Sequence, residues 1–228
     1  MKNLVIGNGE IGKGIAKALD CPAVDIGEVY EGKGGAIHIC FGYSDDFVDN
    51  VKTYKMLYNP DLTIIHSTVP VGTSDECGAV HSPVRGVHPD LYGGIMTFVK
   101  FFGGNRAGEA AKIFEERGIE TFVTGKAVNT ELGKLHSTTQ HGAAIMLNKE
   151  IYQNCEDEGA DFDIVYRLFN KTYNDGYKRL GKDKFTRPLL DYMPGGIGGH
   201  CVVPNCELLG TETAQQIILK NQQICDSQ

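Results

Sequence analysis

The chain has 228 residues, of which 41% are hydrophobic and 22% charged, and its formal net charge at pH 7 is −7. This charge argues against nucleic-acid binding, because Lys and Arg supply most of the affinity for phosphate backbones. No basic run suggests an anionic membrane surface, and no apolar stretch approaches the ~18 residues of a membrane span. The first apolar run is too short for a signal peptide.

The cysteine content points to a compartment. The seven cysteines are an odd number and form no CxxC pair, so we expect neither a disulfide framework nor a zinc ribbon. Thiols of this kind fit a reducing environment. The sequence therefore predicts a cytoplasmic protein that binds neither nucleic acid nor membrane.

A glycine-rich turn follows the first predicted strand. Leu4–Ile6 is a short apolar run typical of a buried parallel strand. It leads into a GxGxxG segment that opens a helical pattern, Gly7, Asn8, Gly9, Glu10, Ile11 and Gly12. In this setting the first glycine permits a tight turn, the second lets a pyrophosphate approach, and the third lets helix and strand pack closely. The helix N-terminus would face the phosphates, so we predict a dinucleotide site at residues 7–12.

The next two predicted strands bear on the identity of the dinucleotide. Asp25 lies in the predicted strand Ala23–Ile26, close to where an acidic residue holds the ribose 2′-hydroxyl, and this favours NAD over NADP. The alternative is an Asp that caps a turn at a strand end. Gly42 follows the third predicted strand, Ala36–Phe41, at the expected cofactor edge.

Strands and helices continue to alternate as far as residue 125. We predict a helix from Asp45 to Tyr58 and one from Asn105 to Arg117, and further strands at 62–66, 78–84, 97–102 and 119–123. Such alternation indicates an α/β fold with a Rossmann-type doubly wound parallel sheet in residues 1–126. Ser67 and Thr68 leave the carboxyl end of the fourth strand, where ligands of such sheets bind, so we expect them to line the cleft.

Residues 127–228 are predicted to form a smaller all-helical domain. Asn129 caps a long helix that ends before Gly159, Asp161 caps a second helix, and Glu212–Ile224 forms a last one. An apolar face on the helix starting near Asn129 would suit a homodimer contact, although a purely internal core is the alternative.

A second glycine-rich segment lies near the end of the chain. Four glycines fall within residues 195–199, followed by His200 and Cys201. Glycines let the backbone approach a ligand closely, and a thiol on such a loop is a candidate nucleophile. A structural buried thiol is the alternative for Cys201.

The histidines do not indicate a metal site. His81, His88, His136, His141 and His200 show neither HxH nor HExxH spacing, so we expect no metal. His136 or His200 are instead candidates for a catalytic base.

Four of these motifs, in this order, resemble the UDP-glucose/GDP-mannose dehydrogenase family. The residues that carry the resemblance are the fingerprint at 7–12, the segment Ser67-Thr68-Val69-Pro70-Val71-Gly72-Thr73, the segment Glu131-Leu132-Gly133-Lys134 and the loop Gly196-Ile197-Gly198-Gly199-His200-Cys201. The last is most like the branch that acts on N-acetylated amino sugars. The resemblance covers nearly all of the chain but only the first two of the family's three domains, so it implies a truncated form without the C-terminal UDP-binding domain.

The resemblance implies a chemistry. Enzymes of the family oxidise an alcohol group of a nucleotide sugar to a carboxylate, with two NAD as oxidants. By analogy, Cys201 would attack the aldehyde to form a thiohemiacetal, Lys134 would stabilise negative charge on oxygen, and Thr68 would help to hold the water or hydroxyl. A solvated position on the helix is the alternative for Lys134.

Three positions depart from the family pattern. The glutamate that follows the proline of the fifth strand is replaced by Val84, the asparagine four residues after the lysine by Thr138, and the aspartate four residues after the cysteine by Asn205. The first reading is an NAD-dependent oxidoreductase acting on a hydroxyl of a sugar-like substrate. A single-step β-hydroxyacid-type dehydrogenase and a non-catalytic NAD-binding module are the alternatives.

Overall fold

A computed structural model describes residues 2–32 and 35–226 of the chain. The chain divides into two compact units, residues 1–134 and 135–228. The division falls within a long helix, Ala127–Glu158, whereas the sequence places the domain change near Lys126. No helix in the described ranges is long and apolar enough to cross a membrane.

A seven-stranded sheet forms the centre of the first unit, in the order β2-β1-β3-β4-β5-β6-β7. Its strands are β1 Asn3–Ile6, β2 Ala23–Val24, β3 Ala36–Ile39, β4 Leu62–Ile65, β5 Val80–His81, β6 Lys100–Gly103 and β7 Thr121–Gly125. Neighbouring strands are parallel except β5 and β6, which pair antiparallel through His81 and Gly103. The predicted Rossmann-type α/β fold is confirmed, with one antiparallel pair that the sequence pattern did not indicate.

Helices cover both faces of this sheet. They are α1 Glu10–Leu19, α2 Phe47–Tyr58, α3 Thr73–Glu76, α4 Leu91–Thr97 and α5 Ala107–Glu115. Successive residues of a strand point to opposite faces, and β1 shows the result. Val5 packs in a cluster with Ile15 of α1 and Phe114 of α5, whereas Leu4 packs in a second cluster with Phe47 of α2. The sheet is therefore buried on both sides, as its continuous apolar strands predict.

Several local predictions in this unit were wrong. Asn129 does not cap the long helix, which begins two residues earlier at Ala127, and its side chain donates to Thr124 O at 3.0 Å. The N-cap residue of α2 is Asp46 rather than Asp45, and its carboxylate accepts from Ser44 Oγ at 2.6 Å and makes no capping hydrogen bond to the helix. The strand predicted at 97–102 begins only at Lys100, because residues 91–97 form α4. The strand predicted at 78–84 is reduced to two residues. Short apolar runs do not distinguish a buried helix from a strand, and α4 is such a run.

The described part of the second unit contains only helical elements. They are the rest of α6 (Ala127–Glu158), a π-helix at Asp163–Leu168, α7 Phe169–Arg179, a 3₁₀ turn at Asp183–Phe185, α8 Val202–Leu209 and α9 Glu212–Asp226. Asp161 caps the second helical segment as predicted, since its Oδ1 accepts from the backbone N of Asp163 at 2.8 Å and of Ile164 at 3.3 Å.

The helix α8 was not predicted from the sequence. Pro204 lies in its first turn, where the missing N–H breaks no intrahelical bond. The helix packs against α6 at Gly142, where a Cβ would lie 2.6 Å from Val202 Cγ1. Met146, Cys206 and Ile217 complete this small core. The packing fixes where the helix that begins after Cys201 lies within the unit.

Candidate functional site

The three glycines of the first turn have different surroundings. Gly7 has a φ of +99°, and a Cβ there would lie 2.7 Å from Phe41 N. A Cβ at Gly12 would lie only 1.8 Å from the carbonyl oxygen of Gly7. Gly9, the N-cap of α1, has nothing within 4 Å of its would-be Cβ and provides no side-chain cap. The turn is thus closed against the protein at Gly7 and Gly12 and open at Gly9, where backbone donors of a helix N-terminus can meet an anion.

Asp25 lies beside this turn. It directly follows β2, is exposed, and its Oδ1 accepts from the backbone N of Ile26 at 2.9 Å and of Asn8 at 3.4 Å. The carboxylate therefore caps a local turn and also borders the glycine segment, so the two interpretations of the sequence are compatible.

Two other residues of the fingerprint have defined surroundings. The exposed Glu10 pairs with His88. The half-buried Ile11 packs against the cluster that contains Val5. Gly42 lies three positions after Ile39, the last residue of β3. It is exposed and has nothing within 4 Å of its would-be Cβ.

The four predicted cofactor segments lie at one edge of the sheet. Gly7, Asp25, Gly42 and Ser67 come after the carboxyl ends of β1, β2, β3 and β4, which are parallel neighbours. This is the edge where open α/β sheets bind their ligands. The structure therefore brings these segments together within the first unit.

Ser67 is engaged within the protein. It is buried, and its hydroxyl donates to Phe41 O at 2.5 Å. Thr68, the next residue, is half-buried and precedes Val69, which is fully buried in the cluster around Leu4. In the described part of the chain, the Thr68 side chain makes no hydrogen bond to the sheet, whereas the Ser67 hydroxyl does.

Lys134 belongs to the end of the first unit, on α6. Its ammonium is half-buried and donates to Val84 O at 3.0 Å. The Val84 side chain itself is buried in the apolar cluster with Leu91 and Ile95. The main chain of Val84 thus orients Lys134, while its side chain contributes to the core.

Sequence reasoning missed a buried polar network below this edge. His38 Nδ1 lies 3.0 Å from His66 Nε2, His66 Nδ1 lies 2.7 Å from Ser82 O, and Lys100 Nζ donates to the same oxygen at 3.1 Å. His81 Nε2 lies 3.1 Å from Ser67 O. These residues occupy strands or strand ends, where a parallel sheet that is buried on both faces is expected to have apolar side chains.

Burial keeps these histidines neutral. It lowers the pKa of His38 to about 3, helped by Lys100, and that of His81 to about 4. It also takes the pKa of His66 well below 6.5, and lowers that of Lys100 to about 7. A carbonyl only accepts hydrogen bonds, so neutral His66 carries its proton on Nδ1 and accepts from His38 Nδ1–H at Nε2.

In the second unit, the glycine loop is tied to two helices. Lys149 of α6 donates to Met193 O at 2.5 Å and Gly195 O at 2.6 Å. Asn221 of α9 accepts from the backbone N of Ile197 at 2.6 Å. His200 is exposed, and the half-buried Cys201 is the N-cap of α8. The segment before the thiol is therefore held by side chains, rather than being an unrestrained loop.

Two of the three departures from the family pattern contact each other. Asn205 is buried, and its Nδ2 donates to Thr138 Oγ1 at 3.1 Å. The carboxylate and the amide that the family pattern places at these positions are thus replaced by an amide and a hydroxyl that pair. Nothing in the sequence indicates that these two positions, 67 residues apart, are in contact.

Among the described residues, no group of three or more His, Cys, Asp and Glu side chains is arranged to hold a metal ion. None of the seven cysteines, all of which lie in described segments, forms a disulfide.

Comparison with curated proteins identifies a relative by sequence. The chain is 28% identical over 179 residues to UDP-N-acetyl-D-mannosamine dehydrogenase of Methanocaldococcus jannaschii, a match that covers 70% of this chain and 37% of the relative. The chain thus matches well under half of that relative's length. No family model matches the sequence.

Solved structures share the fold. UDP-D-ManNAc dehydrogenase from Pyrococcus horikoshii matches 98% of this chain and 69% of its own, with a TM-score of 0.79 and 17% identity. UDP-glucose dehydrogenase from Pyrobaculum islandicum matches all of this chain and 68% of its own, with a TM-score of 0.69 and 18% identity. The 3-hydroxyisobutyrate dehydrogenase of Mycobacterium tuberculosis matches 99% of this chain and 94% of its own, with a TM-score of 0.69 and 11% identity. The resemblance that the motifs indicate is confirmed, in sequence by the archaeal relative and in fold by these structures.

Proposed function

Starting from the similarity of this chain to nucleotide-sugar dehydrogenases, we propose that the protein is an NAD-dependent dehydrogenase that oxidises a CH–OH group of a sugar-like substrate. The observation that carries the proposal is the meeting of Gly7, Asp25, Gly42 and Ser67 at the carboxyl edge of four parallel strands. A hydroxyl of a nucleotide-linked N-acetylated amino sugar is the first substrate to test, because the archaeal relative is named for one.

The residues at this edge fit a dinucleotide. The open space at Gly9 and the backbone donors at the start of α1 would receive the pyrophosphate. Asp25 would hold the adenosine ribose, and the exposed, side-chain-free Gly42 would allow the cofactor to pass close to the main chain. When bound, NAD would accept the hydride that leaves the substrate carbon.

The ribose contact gives a direct test of the cofactor. We expect calorimetric titration to show micromolar binding of NAD and weaker binding of NADP, whose 2′-phosphate would meet the Asp25 carboxylate. Asp25→Ala should weaken NAD binding about tenfold, the effect of losing about 1.4 kcal/mol of interaction, and should narrow the gap between NAD and NADP.

Glu31→Ala is the matched control, since it removes an exposed carboxylate from the same part of the chain and should leave both affinities unchanged. If the wild-type protein binds neither dinucleotide, the dehydrogenase proposal fails and only the fold is shared.

Lys134 and Thr68 have roles in the first oxidation that the resemblance suggests. A hydride leaves the substrate carbon as a base removes the hydroxyl proton, and negative charge develops on that oxygen. The ammonium of Lys134, oriented by Val84 O, would stabilise that charge. Thr68 would hold the hydroxyl or a water, and His200 or His136 are the candidates for the base because both are exposed.

Cys201 would serve a second oxidation. Its sulfur adds to the aldehyde carbon and its proton goes to the aldehyde oxygen, giving a thiohemiacetal. Loss of a hydride to a second NAD and of the hydroxyl proton leaves a thioester, which water cleaves to the acid and the thiol. Cys201 is the N-cap of α8, and the backbone N–H groups of the first turn, which lack intrahelical partners, would stabilise the developing oxyanion.

This chemistry predicts a change in stoichiometry. With UDP-N-acetylmannosamine as substrate, we expect the wild-type protein to form two NADH for each molecule of acid. Cys201→Ala should form at most one NADH per substrate molecule, with an aldehyde as the product, because no thioester can form. NADH absorbance and mass spectrometry of the product measure both quantities.

Cys21→Ser is the control for thiol loss, since Cys21 follows the C-cap of α1 in the first unit and should keep the wild-type ratio. A ratio of two in Cys201→Ala would exclude the thiohemiacetal.

A single-step β-hydroxyacid-type dehydrogenase is the second candidate. It is favoured by the fold shared with 3-hydroxyisobutyrate dehydrogenase and by Val84, which stands where the family pattern has the glutamate that acts as a base in thioester hydrolysis. Activity on a hydroxyacid that is unaffected by Cys201→Ala would support it.

The assembly and location of the protein stay predictions. A homodimer through α6 is supported by Leu132 and Leu147, which are 37% and 56% exposed on that helix. A cytoplasmic location is supported by the lack of disulfides among the cysteines.

A further inference from the structure

Glu131 binds the loop that follows β4. Its carboxylate is 1% exposed, and its two oxygens accept from the backbone N of Gly72 at 2.8 Å and of Ser74 at 2.9 Å. Gly72 has a φ of +94° and begins the short helix α3. A buried carboxylate that accepts from two amides, one through each oxygen, fixes both the position and the orientation of the loop end.

The preceding residue reaches the other end of the same loop. Thr130 is buried, and its Oγ1 lies 2.8 Å from His81 Nδ1, while His81 Nε2 lies 3.1 Å from Ser67 O. Because His81 is neutral and Ser67 O only accepts, the ring donates through Nε2, and its Nδ1 accepts from the Thr130 hydroxyl, whose single proton is shared with Ala127 O at 2.8 Å. A continuous chain of hydrogen bonds therefore runs from Thr130 to the start of the loop.

These contacts enclose the residues between them. Ser67 is held at one end of the loop and Gly72 at the other, so Thr68 lies in a segment fixed on both sides. Glu131 and Lys134 are three residues apart on α6, and such residues are neighbours on a helix surface. The same helical turn thus fixes the loop and carries the lysine.

We propose that Thr130 and Glu131 are positioning residues, which hold the Ser67–Thr73 loop against the first turn of α6 so that Thr68 is placed for the reaction in which Lys134 acts. This inference rests on the proposed function. Both residues are buried, so each acts through the groups it contacts within the protein. Glu131 acts through the amides of Gly72 and Ser74, and Thr130 acts through His81.

The test uses Glu131→Gln and the pair Thr130→Val and Thr130→Ser in the full chain. A glutamine has one acceptor where the carboxylate has two, so one of the two loop amides loses its partner. We expect hydrogen exchange at Gly72 and Ser74, followed by NMR, to become at least tenfold faster. With UDP-N-acetylmannosamine and NAD, kcat should fall at least tenfold while KM and the Kd for NAD change less than threefold.

Thr130→Val should lower kcat in the same way, and Thr130→Ser, which keeps the hydroxyl, should restore it. A merely structural role would not give this recovery at unchanged KM. Glu76→Gln is the matched control, because Glu76 is an exposed carboxylate of α3 and its change should leave exchange and turnover unaltered.

Two results would overturn the inference. The first is wild-type protection of Gly72 and Ser74 in Glu131→Gln. The second is wild-type kcat in an active Glu131→Gln protein whose loop amides have lost protection. If wild-type protein oxidises no nucleotide sugar, the proposed function fails, and the exchange rates then decide alone whether the loop is held as described.

Discussion

Gly12→Ala should prevent stable folding of the first unit. The new Cβ would lie 1.8 Å from Gly7 O, a backbone atom that cannot move away as the end of a flexible side chain can. Moving α1 away would disturb Ile15 and Leu19, which are fully buried. We expect a loss of about 3 kcal/mol or more in the free energy of unfolding, at the upper end for overpacked sites, measured by urea unfolding followed by circular dichroism.

Two other glycines separate folding from cofactor binding. Gly9→Ala meets no atom within 4 Å, so its unfolding free energy should stay within about 1 kcal/mol of wild type, the usual effect at an N-cap. The added methyl group should nevertheless weaken NAD binding at least tenfold, because it occupies the open side of the turn. Gly108→Ala, in α5 with open space around it, should bind NAD normally and be more stable by up to about 1 kcal/mol.

Wild-type stability in Gly12→Ala would show that the turn is not packed as described.

Acid should unfold the protein steeply. The pKa values of His38 and His81 are about 3 and 4 in the folded chain, and that of His66 is also far below 6.5. An unfolded chain binds these protons near pH 6.5, so it holds more protons than the folded chain between pH 6.5 and about 4. Stability therefore falls as the pH drops through this window. Each histidine adds about 1.4 kcal/mol per pH unit to the slope of the unfolding free energy against pH. Three together add about 4 kcal/mol per pH unit.

The reason is burial. A charged imidazolium of His38 or His66 would lose its hydration inside the sheet, and the neighbouring Lys100 ammonium would repel it. Lys100 shifts stability in the same direction at higher pH, because its pKa of about 7 lies below the 10.5 of an unfolded lysine. Stability thus continues to rise with pH above 7 as far as this group is concerned.

Urea unfolding between pH 4.5 and 7 measures the slope. We expect His38→Asn to reduce this slope by about 1.4 kcal/mol per pH unit, which corresponds to one proton fewer taken up on unfolding. His141→Gln, at an exposed position of α6, should leave the slope unchanged. An identical slope in the wild type and in His38→Asn would contradict the prediction.

The sequence predicts this fold well where local chemistry decides the structure. The fingerprint, the alternation of strands and helices, and the Asp161 cap each depend on residues close together in the chain, so they are visible without coordinates. The antiparallel β5–β6 pair and the helix α8 are not. The first depends on how a connection crosses the sheet, and the second places a proline where only a first turn tolerates it.

The candidate site divides in the same way. Gly7, Asp25 and Lys134 could be chosen from motifs, because their spacing within a segment carries the signal. The loop contacts of Glu131 could not, since its partners lie 57 and 59 positions earlier in the chain. Thr138 and Asn205 looked like two independent departures from the family pattern until the structure showed their hydrogen bond.

The unequal surroundings of the three fingerprint glycines affect how far such a motif can be trusted as a record of ancestry and use. Gly7 and Gly12 are required by the packing of the turn itself, so selection for a folded protein alone would retain them in a descendant that had given up its cofactor. Gly9 meets nothing in the protein, and only a ligand gives selection a reason to keep its side chain absent. Across relatives of this chain, a drift from glycine at that single position would be the earliest sign that the ancestral ligand had been abandoned.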